Sequence, residues 1–146
     1  MLKLNLKTEP YWIPLPGNIN VKVTPISTAI MSAAQSNARI DFMALEEQQG
    51  GIDSSIRGGI NESMLIKAMA RLAIVEWNGV YLADGETLAP VNPETIDQLM
   101  DIWLVAQDFF KEYVTQLRLL EFEGNVSAPV ANGTSAAVAR IADNAD

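Results

Sequence analysis

The chain has 146 residues, a net charge of −8, and neither histidine nor cysteine. Without imidazole or thiol, Ser-His-Asp and Cys-His nucleophile arrangements are excluded, as are disulfide scaffolds, and the usual zinc ligand sets very nearly so. An apolar share of 49% against 19% charged suits one globular domain with a modest core. The acidic balance, with two cations against nine acids over residues 80–123, speaks against nucleic acid or an anionic membrane surface as a partner.

At the N-terminus Leu2, Leu4 and Leu6 alternate with Lys3, Asn5 and Lys7, which offers a candidate strand and no signal-peptide core. The chain is therefore expected in the cytoplasm of the cell that makes it. Tyr11, Ile13 and Leu15 alternate next, Pro16-Gly17-Asn18 supplies a turn, and Ile19, Val21 and Val23 alternate again, which predicts a β-hairpin. Thr24-Pro25 offers a helix cap followed by proline at the first helical position. The first helix is then expected from about Pro25 to Gln48, with Ile26, Ala29, Ile30, Ala33, Ile40 and Ala44 on its buried face. Ala33, Ala34 and Ala38 would let another helix approach closely.

Gly50-Gly51 ends that helix. The four glycines of GGIDSSIRGG (50–59) match no phosphate-binding pattern, because no Gly-Lys-Ser/Thr follows, and they predict an interhelical loop. Asn61 is the expected cap of a second helix, with Glu62 in its first turn and Met64, Leu65, Ala68, Met69, Leu72 and Val75 as its buried stripe. Lys67 and Arg71 fall on a solvated face. Gly79 permits the left-handed conformation that commonly ends a helix, which would put Trp77 in the last turn. Asp84-Gly85 suits a tight turn between Val80–Ala83 and Glu86–Val91. Asn92 then caps a last helix, with Pro93 at its first position.

That last helix is expected from Pro93 to about Phe122. At about 100° per residue, Ile96, Leu99, Met100, Trp103, Phe110, Val114 and Leu117 gather on one side, and Glu94, Asp97, Asp101, Asp108 and Glu112 on the other. The acidic stripe has no histidine and no calcium-loop glycine, so it predicts a solvated face and no metal site. Ile102, Leu104, Val105 and Phe109 fall off the apolar side. Either the helix kinks near 103–105, or a partner buries its second side. From Gly124 onward the chain is rich in Ala, Asn, Ser and Gly, lacks aromatic residues, and reads as a flexible tail.

The expectation is thus an α+β fold, mainly α. A single domain spans 1–123, with a β-hairpin region at 1–24 and a helical region of about three long segments at 25–123. A small Asp-Gly hairpin precedes the last helix, and the tail spans 124–146. No residue is a candidate for catalysis, for a cofactor or for a metal.

The stretches PYWIPLPGNINVKVTPISTA (10–29), ARLAIVEWNGVYLADGETLAPVNPETIDQLMDIW (70–103), FFKEYV (109–114) and NVSAPVANGTSA (125–136) resemble the bacteriophage tail assembly chaperone family of siphophages and gene-transfer-agent-like elements. The likeness covers nearly the whole chain in short motifs, and the glycine-rich segment 50–59 has no counterpart in it. The resemblance implies a non-catalytic protein of the host bacterial cytoplasm, absent from the finished virion. Such a protein binds the tape measure protein, keeps it soluble, and helps recruit tail tube subunits, often through a C-terminally extended form made by ribosomal frameshifting. The alternative is a structural tail or connector component of the virion. For a chaperone, the expected partner-binding surface is Ile102, Leu104, Val105 and Phe109, beside Asp101 and Asp108.

Overall fold

A computed structural model of the chain describes residues 8–115. The candidate strand at 2–6, the end of the last helix at 116–122, the tail, and the expected domain bounds at 1 and 123 lie outside them. Residues 8–114 belong to one compact unit. It is α+β and mainly helical, with four helices and a three-stranded antiparallel sheet among the described residues.

The hairpin forms as its alternation requires. β1 (Tyr11–Leu15) pairs with β2 (Ile19–Val23) in a register that sets Ile13 opposite Val21. Period-2 alternation sends Ile13, Leu15, Val21 and Val23 to one face, where all four are buried. The turn between the strands places Gly17 and Asn18 at positive φ. The third strand, β3 (Ile74–Asn78), lies on the other side of β2, so the sheet order is β1-β2-β3. The second helix was expected to run through this segment. It stops instead at Ala73, whose carbonyl accepts from the Thr24 amide at 2.8 Å, and Ile74 turns extended. The backbone of Ala73 is thereby captured by the sheet, and the β-branched pair Ile74-Val75 follows into strand geometry. Trp77 is buried as expected, but in a strand, and its indole N–H donates to the Ala89 carbonyl at 2.8 Å.

Between β2 and β3 the chain makes a helical hairpin of α1 (Thr28–Gln49) and α2 (Ser54–Ala73). The cap of α1 is Ser27, which accepts from the Ile30 amide, and not Thr24, whose own backbone is engaged by the sheet. Gly50, left-handed, ends α1 as expected. The glycine-rich segment is not a loop. Asp53 accepts from the Ser55 amide at 2.9 Å and starts α2 eight residues before Asn61, so Gly58 and Gly59 sit inside the helix. Helix interiors tolerate glycine at a cost of about 1 kcal/mol each, and here the missing side chains leave room beside α2.

The buried faces match expectation in part: Ile26, Ile30, Met64 and Leu65 pack against the core, and Ala68 and Met69 are buried. In α1 it is Ala34, Ala38 and Phe42 that are buried, while Ala29, Ile40 and Ala44 face outward. In α2 the buried set is Ile66, Ala68, Met69, Ala70 and Ala73, and Leu72 is exposed. Five alanines are buried on the two helices, among them Ala34 and Ala38 of the expected close-approach set, while Ala33 is half-buried.

Gly79 is left-handed, at φ +82°, but it closes a strand and not a helix. Beyond it, residues 80–89 form a hairpin-like loop with one bridge, Tyr81 to Leu88, where two longer strands were expected. Asp84 organises the tip, accepting from the amides of Glu86 (2.8 Å) and Thr87 (2.9 Å) and from the Thr87 hydroxyl (2.6 Å), while Gly85 takes positive φ. These bonds to the Thr87 hydroxyl and amide and then to Glu86 favour the ionised carboxylate and lower its pKa from 3.8 to about 2. A depressed folded value means that the carboxylate supports the loop above about pH 4 and loses that contribution as pH falls through about 2. The expected result is a carbon-13 carboxyl titration of Asp84 with its midpoint near 2, accompanied by shifts of the Glu86 and Thr87 amides. An ordinary midpoint with silent amides would mean the tip is not organised this way.

Candidate partner-binding site

The last helical region, for which a kink near 103–105 was one of the two alternatives, is two helices that break at Ile102. Asn92 caps α3 (Pro93–Met100) through a reciprocal pair of bonds with Thr95, at 2.9 and 3.1 Å, and Pro93 occupies the first turn as predicted. After Met100, Asp101 is still helical, but Ile102 is extended (φ −82°, ψ 109°), and α4 (Trp103–Tyr113) starts without a side-chain cap. No proline or glycine causes this break, so tertiary packing must. Re-aiming the chain at Ile102 turns Val105, Phe109 and Tyr113 inward, and all three are buried. Phe109 and Tyr113 stack at 5.4 Å, and the Tyr113 hydroxyl donates to the Thr24 carbonyl at 2.8 Å. Burial pushes the Tyr113 phenol well above its ordinary range, with the charge of Tyr11 adding to it.

The break corrects the expected binding surface. Val105 and Phe109 are core residues, unavailable to a partner, and what looked like a second apolar face is the inward face of α4. Ile102 and Leu104 do stand outside, 52% and 58% exposed, and between them Trp103 is 68% exposed. Straight-helix geometry predicts Trp103 on the buried side. A signal for its exposure was present: Ile102 to Ala106 is an unbroken apolar run, and five consecutive residues cover every side of a helix. Some of them must face out.

Beside this ridge lies an open groove of about 410 Å³ between α2 and the start of α4. Gly59, Ser63 and Ile66 line one wall, Met100, Trp103 and Ala106 the other, and Glu62 and Asp101 also border it. The glycine-rich segment therefore belongs to the site, because Gly59 leaves open space where a side chain would stand.

The acidic stripe is not simply solvated. Lys67 and Arg71, one turn apart on α2, face Asp101, the C-cap of α3, and Asp97, one turn earlier in that helix. Lys67 Nζ is 2.7 Å from Asp101, and Arg71 donates to both Asp97 oxygens at 2.7 and 2.6 Å, with a further contact to Asp41 of α1 at 3.3 Å. The fork-to-fork bond to Asp97 is the main reason the Arg71 pKa is raised. These pairs tie α1, α2 and α3 together and steady the side of the groove at Asp101. Asp108 lies beyond the break, half-buried and apart from this ladder.

Among the described residues, no three His, Cys, Asp or Glu side chains gather as a metal-binding group, and no helix is long and apolar enough to cross a membrane. A scan of protein-family models, a search of curated proteins and a search of solved structures each found no match to this chain. An exposed indole and two aliphatic side chains stand next to an open, partly apolar groove with carboxylates at its border.

Proposed function

We propose that this chain is a phage tail assembly chaperone, a non-catalytic protein that binds the tape measure protein in the host bacterial cytoplasm and keeps it soluble until the tail is built. The family resemblance suggests the role. The observation that carries it is the Ile102-Trp103-Leu104 ridge, three consecutive large apolar side chains more than half exposed beside a groove. A tape measure chain presents long amphipathic helical segments, and an apolar helix face is the ligand such a ridge and groove accept. Trp103 is the expected anchor, since tryptophan is enriched among residues that dominate binding energy. Glu62 and Asp101 keep the uncovered site soluble and favour segments with basic flanks. Recruitment of tail tube subunits would fall to a C-terminally extended form.

The test is co-expression with the tape measure protein of the same phage. Trp103→Asp and Leu104→Asp each alter a surface side chain, so the circular dichroism and melting temperature of the chaperone should barely change. The tape measure protein should nonetheless move from the soluble fraction to the pellet. If it stays soluble with both variants, the ridge is not its binding site. Mass spectrometry of finished particles should find the tape measure protein and not this chain; its presence there in stoichiometric amount would instead identify a structural tail component.

A further inference from the structure

Helix α1 carries two apolar stripes, and the fold covers one. Ala34, Ala38 and Phe42 are buried, whereas the outward stripe of Ile40 and Met43, three residues apart, is 60% and 61% exposed. With Ala33 and Ser36 behind them, these positions follow a 3-4 spacing, the pattern of a helix that packs against a second helix. We propose that this stripe is a self-association surface, on which α1 of one copy packs antiparallel against α1 of a second copy of this chain.

Charge selects that occupant. Arg39 and Glu47 flank the stripe on its two ends, and neither forms an ion pair among the described residues; the Glu46 carboxylate between them is held by Arg57 at 2.6 Å. Setting Ile40 against the partner's Met43, and Met43 against the partner's Ile40, makes an antiparallel pair about a two-fold axis. The position opposite Arg39 is then the partner's Ala44, a small residue that leaves space for the guanidinium. The partner's Glu47 lies three residues, or about 4.5 Å, further along, within the combined reach of the two side chains. The two-fold repeats the pair, so one helix supplies both halves of two ion pairs. A shallow depression bounded by Met43, Ala44, Glu46 and Glu47 is placed to receive the partner's Ile40. A parallel arrangement would set Arg39 against the partner's Arg39 and is disfavoured. This surface and its occupant stand apart from the Trp103 ridge.

Sedimentation equilibrium of the full chain should show a concentration-dependent dimer. All the side chains to be altered are exposed, and circular dichroism should report intact folds. Met43→Asp places two carboxylates at the centre of the interface and should leave a monomer at the concentrations used for NMR. Arg39→Glu and Glu47→Arg should each raise the dimer Kd about tenfold or more, by juxtaposing like charges twice. The double swap Arg39→Glu/Glu47→Arg should restore it to near the original value. A wild-type chain that stays monomeric overturns the proposal, as does a double swap no tighter than the single variants. So does a dimer that survives Met43→Asp and is lost in Trp103→Asp, because the ridge would then be the contact.

Discussion

Phe109→Asp is expected to yield a chain that does not fold. The ring is fully buried and stacked on Tyr113. Truncating such a phenylalanine to alanine costs about 3–5 kcal/mol in lost transfer energy and cavity formation. Aspartate adds either a buried, unpaired carboxylate or the cost of protonating it, several kcal/mol more in a site this enclosed. A domain of this size has roughly 5–15 kcal/mol of total stability, and the sum takes up most or all of it. Proton–nitrogen NMR spectra should collapse to the narrow dispersion of an unfolded chain. The same substitution one turn earlier, Val105→Asp, should behave alike. Against these, Trp103→Asp and Leu104→Asp should give native spectra, and a dispersed spectrum for Phe109→Asp would mean that α4 does not pack as described.

The second large effect is expected at Gly79. Alanine there must hold φ near +82°, and its Cβ would collide with the Asn18 carbonyl oxygen and lie 3.2 Å from the Ile19 Cα. The left-handed conformation alone costs about 1 kcal/mol. The collision is with backbone on both counts, in a turn where Asn18 is itself left-handed, so no side chain can swing away. A total near 3 kcal/mol is expected, since distorting that turn adds roughly 1–3 kcal/mol. Gly85 supplies the control. It has φ +74° with open space around it, so Gly85→Ala should cost only about 1 kcal/mol. Urea unfolding of the two variants measures the difference; equal losses would show that the Asn18 contact does not matter.

Those two glycines illustrate what could be read from residues alone. The positive φ of Gly79 was legible, because Asn78-Gly79 ends an apolar run. The collision with Asn18 was not, since it joins turns sixty residues apart in sequence. Local grammar worked where local forces decide: the alternation of β1 and β2, the stop at Gly50, the Asn92-Pro93 cap, the Asp84-Gly85 turn. It failed where tertiary contacts override it. Ile74–Asn78 continues the helical apolar pattern of α2 without a stop signal, and only an unfilled edge of β2 makes it a strand. Of the residues expected on the core side of α1, Ile26 and Ile30 pack against the core while Ile40 is exposed, because periodicity cannot say how far round the helix the fold reaches. Straight-helix geometry put Trp103 inside and Val105 outside, and one extended residue at Ile102 reversed both. For the candidate site, then, Ile102, Leu104 and Asp101 were legible, while Trp103 and Gly59 required the fold.

The bond from the Tyr113 hydroxyl to the Thr24 carbonyl spans 89 positions of sequence. It also bears on the order in which the protein is made. When the hairpin leaves the ribosome, Val21 and Val23 have no cover, because β3 and α4 are still to be synthesised. The sheet cannot be completed until Asn78 emerges, and the aromatic pair that closes the Tyr113–Thr24 link arrives later still. Loops this long close slowly and leave apolar strands open to wrong partners. A chain interrupted anywhere between Asn78 and Tyr113 would hold a finished sheet with part of its inner face unsealed, and it should be a preferred substrate for the cell's proteases. The last turn of α4 is in this sense the latch of a fold whose first strands waited longest for it.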